Sequence, residues 1–194
     1  VEVGIPNFAN LFMTSPEINI DPTIAGSVVG TYWFLMMIGR LCGASIGAKV
    51  SSRAMLTVVS TVGIVLVLGA IFCADNILVN MPVFKSDISF GFAQVPINVM
   101  LLILCGLCTS VMWGGIFNLA VEGLGKYTAA ASGLFMVMVC GGGILPLIQG
   151  GVADFAGFLN SYWVIALGLA YILFYAAIGS KNVNTDIPTD DYEA

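Results

Sequence analysis

The sequence has no histidine and very few charged residues. Charged side chains make up 9% of its 194 residues, whereas a soluble domain carries about 25%. The lack of histidine disfavours histidine-based metal binding and acid–base catalysis. The six basic residues form no patch that would bind a nucleic acid. Since 59% of the chain is hydrophobic, the composition predicts an all-α polytopic membrane protein.

The common catalytic motifs are absent too. No HExxH, GxSxG or phosphate-binding loop occurs, and no serine has a histidine partner. The five cysteines lie in apolar runs and imply no disulfide framework. Cys105 and Cys108 have CxxC spacing, but without a second ligand pair we interpret them as small buried hydrophobic residues. We therefore expect no enzyme, no cofactor and no metal site.

Apolar runs divide the chain into candidate membrane spans, each of which needs about 20 residues. Residues 1–13 are too short and are interpreted as part of a truncated span, so we expect the chain to belong to a longer protein. Residues 1–180 are predicted to form one transmembrane bundle, and 181–194 an acidic, solvated tail. The connection 74–95 is long enough for an interfacial segment. The full-length runs are 24–48, 54–73, 96–119, 129–150 and 162–178.

Basic residues in the loops favour one orientation. Lys49, Arg53, Lys126 and Lys181 fall on one side of the membrane when the chain is threaded through these spans, and Lys85 falls on the other. Lysine and arginine are enriched in cytoplasmic loops. We therefore predict a multi-pass protein of the cell (inner or plasma) membrane with a cytoplasmic C-terminus.

Arg40 places a permanent charge inside a predicted span. It lies nine residues before Lys49, hence roughly 13 Å deep, near the middle of a hydrocarbon core about 30 Å thick. A charge there costs about 2.5 kcal/mol or more, so it needs a partner or a wet cavity. Glu2 reaches a similar depth in the preceding span, and we predict that the two meet. The pair is either a buried ion pair that fixes packing or part of a solute cavity, and intramembrane charges favour the cavity.

Glycines beside Arg40 predict close helix packing. Gly39, Gly43 and Gly47 recur every four residues, and Gly26 and Gly30 repeat that spacing nearer the start of the span. Such small-residue patterns let two helices approach closely. In a later span, the three glycines at 141–143 are followed by a proline, which predicts a flexible or discontinuous point in the membrane.

Other polar and aromatic residues are candidates for the same cavity. Asn7 follows Pro6, which interrupts the helix signal, and such breaks are tolerated where they line protein or water. Trp113 lies at mid-depth, away from the interface that tryptophan prefers, and its flat face suits the C–H side of a sugar ring. Asn118, in the same span, is a candidate to bond hydroxyl groups. The alternatives to these cavity roles are that Asn7 hydrogen-bonds another helix and that Trp113 fills the core.

Two stretches carry a family resemblance. They are "IGRLCGASIGAKVSSR" at 38–53 and the region from "SVMWGGIFNLAVEGLG" at 110–125 to "GGGILPLIQGGVADFAG" at 141–157. In these the chain resembles the fucose–galactose–proton symporter family of the major facilitator superfamily, over essentially its whole length. The resemblance implies the C-terminal six-helix bundle of such a transporter, with its first helix truncated.

The resemblance also implies roles for individual residues. Glu2 corresponds to an acidic position in the seventh helix, Arg40 to the arginine of the eighth, and Trp113 to an aromatic at the sugar cavity in the tenth. Asn118 falls on a polar position of that helix. The substrate-binding set is therefore Glu2, Asn7, Arg40, Trp113 and Asn118.

By the same resemblance, the protein is a secondary active transporter that couples a monosaccharide to protons by alternating access. Its partners are the sugar, the lipid bilayer and an N-terminal six-helix half, and the proton is the coupling ion. The chain departs from the family pattern at Met112 and Gly114, where the pattern has glutamine and proline, which leaves the sugar open. An alternative is uniport or symport of another polar solute, such as an organic anion bound by Arg40. A third hypothesis is a membrane scaffold without transport.

Overall fold

The structure, a computed structural model, describes residues 1–74, 76–85 and 89–181. The predicted acidic tail lies outside the described residues, except for Lys181. Within these ranges the chain forms eight α-helices and one β-hairpin. The elements in chain order are α1 (Gly4–Thr14), α2 (Pro22–Gly47), α3 (Ser52–Phe72), β1 (Leu78–Phe84), β2 (Phe90–Pro96), α4 (Ile97–Thr109), α5 (Met112–Val121), α6 (Thr128–Met138), α7 (Gly141–Ala156) and α8 (Phe158–Phe174).

The described residues contain five helical stretches long and apolar enough to span a membrane, which confirms the predicted fold class. Helices α2 and α3 are each one span, and α8 continues through a π-helical turn to Gly179. Helices α4 and α5 together form the span Ile97–Val121, and α6 and α7 lie in the span Gly125–Ala156. Most ends of the five predicted runs lie within a few residues of the ends of these spans. The exception is the fourth run, which extends six residues further, to Ala156.

The ends of the helices follow from local sequence. The Asp21 carboxylate accepts the N–H of Thr23 at 2.8 Å, and Pro22 occupies the first turn of α2, an arrangement that satisfies a free helix N–H. Ser51 caps α3 in the same way. Helix α7 ends at Ala156 and is followed by Gly157, whose φ of 93° strongly favours glycine.

The connection at 74–95 contains an antiparallel hairpin that the sequence analysis did not predict. Leu78 pairs with Pro96 and Phe84 with Phe90. Side chains alternate between the two faces of such a ribbon, and the N–H of Phe84 donates to the hydroxyl of Thr31 on α2 at 2.8 Å. The ribbon is thereby held against α2. Its buried side chains are Met81, Val83, Ala93, Val95 and Pro96.

The glycine pattern in α2 holds for two of its members near Arg40. A Cβ at Gly39 would collide with Ser110, and one at Gly43 would collide with Val111. Gly47 and Gly26 have nothing within 4 Å of such an atom. Helix α2 therefore approaches the α4–α5 junction closely at Gly39 and Gly43, and Gly30 lies against the backbone of Phe84 in the hairpin. The prediction of close packing is wrong for Gly26 and Gly47 within the described residues.

Two spans are interrupted. Helix α4 ends at Thr109 and α5 begins at Met112, a break that neither proline nor glycine signals in the sequence. Helix α6 ends at Met138 and α7 begins at Gly141, where the glycine run predicted a discontinuity. The other predicted break is wrong, because Pro6 lies in the first turn of α1 without interrupting it.

The core lies between α1, α2, α3, α4 and α8. Tyr32 and Tyr162 are the largest side chains in it with no exposed surface. Cys105 and Cys108 are buried and unpaired, as expected of small hydrophobic residues. Helix α6, in contrast, contains no buried residue, so one side of the bundle is open.

Candidate functional site

Glu2 and Arg40 meet, as predicted from their depths. Nη2 of Arg40 lies 3.3 Å from Oε1 of Glu2. The same nitrogen lies 3.4 Å from the sulfur of Met36, one turn earlier on α2. The pair joins the residues just before α1 to the last third of α2.

The ion pair is open rather than buried. The side chain of Arg40 is 59% exposed and that of Glu2 is 32% exposed. An exposed pair of this kind contributes about 0–1 kcal/mol to stability, much less than the cost of placing an arginine in mid-membrane. Both side chains are therefore accessible to a solute in the described part of the chain, as the cavity interpretation requires.

Tyr32 positions the backbone of Glu2. Ile5 and Asn7 each donate their N–H to the carbonyl four residues earlier, but Pro6 has no N–H, so it leaves the carbonyl of Glu2 without that bond. The hydroxyl of Tyr32 donates to this carbonyl at 3.0 Å. It also lies 2.9 Å from the hydroxyl of Thr109 on α4. One buried tyrosine thus links three helices at the base of the ion pair.

The ion pair lines an open cavity of about 510 Å³. Its other lining residues are Ser110, Trp113 and Gly114, which belong to the α4–α5 break and the first turn of α5. Since Gly39 leaves room for Ser110, α2 and this break lie close together. The volume falls within the usual range for small-molecule sites. We call this space the central cavity.

Trp113 is part of an aromatic cluster. Its ring is parallel to that of Phe117, with centroids 5.6 Å apart and an interplanar angle of 2°. The ring of Phe135 on α6 meets both edge-on. These contacts hold the indole while 45% of the residue stays exposed. The sequence analysis missed Phe117 and Phe135, although the spacing of Trp113 and Phe117 places them on one helix face.

The other two predicted site residues lie elsewhere. Asn118 lines a separate cavity of about 650 Å³, together with Ser51, Arg53 and Glu122 near the start of α3. Asn7 is exposed on α1 and is not among the residues that line the central cavity. The structure thus brings together Glu2, Arg40 and Trp113. It does not bring Asn7 or Asn118 to them.

The chemistry of the central cavity is that of binding. It offers a carboxylate, a guanidinium, a hydroxyl and an aromatic face, which suit a polar solute with hydroxyl or anionic groups. Among the described residues, no cluster of three histidine, cysteine or acidic side chains is placed to hold a metal ion. An open polar cavity among apolar spans defines the class: a multi-spanning membrane protein built like a solute carrier.

Comparison with curated proteins agrees with this class. The chain is 29% identical over 182 residues to the glucose/galactose transporter of Brucella abortus. It is 30% identical over 185 residues to the putative glucose/galactose transporter of Helicobacter pylori. Each alignment covers 93% of the chain. The chain spans 39% and 40% of the lengths of these two relatives.

A third relative is the L-fucose-proton symporter of Escherichia coli, with 32% identity over 92 residues, which are 47% of the chain and 21% of that protein. No family model matches the chain, and no solved structure matches it. The resemblance to the fucose–galactose–proton symporter family of the major facilitator superfamily is confirmed by these relatives.

Proposed function

We propose that the chain is the C-terminal half of a secondary active transporter that carries a monosaccharide together with protons. The observation that carries this proposal is the joint placement of Glu2, Arg40 and Trp113 around one open cavity. The relatives are named as transporters or symporters of glucose, galactose and fucose, which supports a sugar carrier rather than an enzyme or a scaffold.

Each group in the central cavity has a role in this proposal. The exposed indole of Trp113 would lie against the C–H face of a sugar ring. Glu2 accepts hydrogen bonds from sugar hydroxyls and Arg40 donates them. Because the two charges already pair, they neutralise each other, which suits an uncharged solute. The central cavity is open on one side, and an N-terminal half would close it and complete alternating access.

Proton coupling is the finer part of the proposal. It is supported by the name of the fucose relative, which matches about half of the chain. We place the C-terminus in the cytoplasm because Lys49, Arg53, Lys126 and Lys181 share one side. The absent half would carry the groups that bind and release the proton.

Uptake by the full-length protein in liposomes tests the proposal. We expect labelled glucose or galactose to accumulate when the exterior is acidic, and sugar addition without a gradient to raise the external pH. Sugar uptake that is indifferent to the pH gradient would refute proton coupling but not sugar transport. The alternative, an organic-anion carrier, would be favoured if the protein took up none of glucose, galactose and fucose but took up an anion such as gluconate in a manner that depends on Arg40.

A further inference from the structure

A second cavity lies between α2 and the β-hairpin, and its volume is about 660 Å³. Its α2 wall is built from residues three or four apart, which share a face of a helix. The hairpin contributes the aromatic ring of Phe84 and the cation Lys85. We call this space the hairpin cavity. The α2 residues used below are Ser27, Gly30, Trp33 and Met37.

The hairpin cavity is on the same face of α2 as Arg40. Trp33 precedes Arg40 by seven residues, so the two side chains differ by about 20° around the helix and by roughly 10 Å along it. Met37 lies between them, one turn before Arg40. A face that carries an arginine in mid-membrane is expected to face water or protein rather than lipid. The hairpin cavity therefore lies on the same face of α2 as the central cavity, although the two cavities share no lining residue.

The walls of the hairpin cavity are fixed by the fold. The ring of Phe84 stacks on that of Phe34, with centroids 4.9 Å apart and an interplanar angle of 6°. Trp33 meets Tyr32 edge-on, and Trp33 remains 43% exposed. Gly30 contributes no side chain, so the space beside these rings stays open. The cavity thus has preformed aromatic walls.

Its polar groups are few and suited to hydroxyl groups. Lys85 lies over Gly91 on the opposite strand, where a Cβ would be 2.9 Å from the lysine Nζ. Among the described residues, no acidic side chain forms a salt bridge with Lys85. The hydroxyl of Ser27 donates to the carbonyl of Thr23 and keeps its lone pairs as acceptors. Together these provide donors and an acceptor beside an aromatic face.

We propose that the hairpin cavity is a second solute site, at which a monosaccharide stacks on Trp33 and bonds Lys85 on its way to or from the central cavity. This inference rests on the proposed function. A second site has one distinguishing consequence: the sugar should bind at Trp33 even when Arg40 is replaced, because the two sites are separate places on one helix face.

Fluorine NMR on the full-length protein carrying 5-fluorotryptophan tests the inference. The resonances of Trp33 and Trp113 are assigned by their loss in Trp33→Leu and Trp113→Leu. We expect glucose or galactose to shift both resonances in the unmodified protein, and to shift that of Trp33 in Arg40→Met as well. A shift at Trp113 alone would overturn the second site and leave the proposed function standing. No shift at either would overturn both.

Transport kinetics provide a second test with a matched control. Trp163 on α8 is 43% exposed, as is Trp33, but it does not line the hairpin cavity. We expect Trp33→Leu and Lys85→Gln to raise the uptake KM by about two- to tenfold with little change in kcat. Trp163→Leu should leave KM unchanged. A separate site would be contradicted if Trp33→Leu and Trp163→Leu changed the uptake KM equally. It would also be contradicted if the sugar no longer shifted the Trp33 resonance in Arg40→Met.

Discussion

The hydroxyl of Tyr32 takes the place of the N–H that Pro6 lacks, by donating to the carbonyl of Glu2 at 3.0 Å. This bond connects the backbone of a charged cavity residue to the buried core of the bundle. Pro6 lies in the first turn of α1, where a missing N–H is tolerated, and the Tyr32 bond satisfies the carbonyl that faces it. The charge of Glu2 is therefore held on a defined backbone, while its side chain stays free to pair with Arg40.

Removing that hydroxyl should destabilise the protein by an amount that depends on Pro6. We expect Tyr32→Phe to lower the free energy of unfolding by about 1–3 kcal/mol, because the half-buried carbonyl of Glu2 and the buried hydroxyl of Thr109 both lose a partner. In a Pro6→Ala background the restored N–H would bond the carbonyl, and the loss should shrink. Denaturant unfolding of the four variants of this cycle measures the coupling.

Tyr171→Phe, at an exposed tyrosine of α8, is the control. Equal losses in both backgrounds would contradict the assigned role of Tyr32.

The ion pair can be tested by exchanging its charges. We expect Glu2→Arg and Arg40→Glu each to abolish most sugar uptake, since each leaves two like charges about 3 Å apart. The exchanged double variant should recover part of the uptake if the direct pair is what matters. Initial uptake rates in liposomes measure this, with expression and thermal stability as controls. A double variant as inactive as either single one would mean that each charge acts separately on the solute.

Close packing at Gly39 predicts a position-dependent cost of adding a methyl group. Gly39→Ala should lower the free energy of unfolding by about 1–3 kcal/mol, because the new Cβ would meet Ser110 and the backbone of Leu107. Gly47→Ala is the matched control on the same helix, with nothing within 4 Å, and should be neutral or slightly stabilising. Thermal unfolding in detergent compares them. If both substitutions had the same effect, α2 would not approach the α4–α5 junction as described.

Much of this arrangement follows from sequence because membrane spans obey simple rules. Length and hydropathy located five spans, and residue counts along two helices brought Glu2 to Arg40. The glycine run at 141–143 marked a real discontinuity because glycine weakens a helix regardless of its surroundings. These features depend on local chemistry or on depth in the bilayer, which can be counted along the chain.

The features that escaped prediction depend on contacts between distant elements. The break after Thr109 has no local signal and coincides with the point where α2 presents Gly39 and Gly43. The hairpin has a period-two pattern, but Pro82 and Gly91 are residues that strands disfavour, and packing on α2 stabilises it. Pro6 was interpreted as a break, but it lies in the first turn of α1, where a missing N–H is tolerated. The Tyr32 hydroxyl that bonds the facing carbonyl comes from a residue 26 positions away in sequence.

Gln149 is a buried side chain whose amide group should be replaceable by an apolar group of similar size. It has no exposed surface, its Nε2 lies 3.5 Å from the hydroxyl of Ser161, and its Oε1 lacks a partner among the described residues. Gln149→Leu should therefore leave the free energy of unfolding unchanged or raise it, because an unpaired polar group is replaced by an apolar one. Gln149→Ala should lower it by about 1–3 kcal/mol through the space it leaves. If leucine cost as much as alanine, the Oε1 atom would have an essential partner.

Asp21 gives a pH dependence outside the membrane spans. The N–H of Thr23 donates to its carboxylate, and this bond lowers the pKa of Asp21 below its ordinary value of 3.8. A depressed pKa in the folded state means that the cap stabilises α2 above pH 3.8 and that its contribution disappears as the pH falls through the lower, folded-state pKa. Carbon NMR titration of the Asp21 carboxyl measures that pKa directly.

Asp21→Asn should keep the cap, because its amide oxygen accepts the same bond, and should remove this part of the pH dependence. Asp21→Ala should lose both, and a titration at or above 3.8 would show that the Thr23 bond does not stabilise the carboxylate.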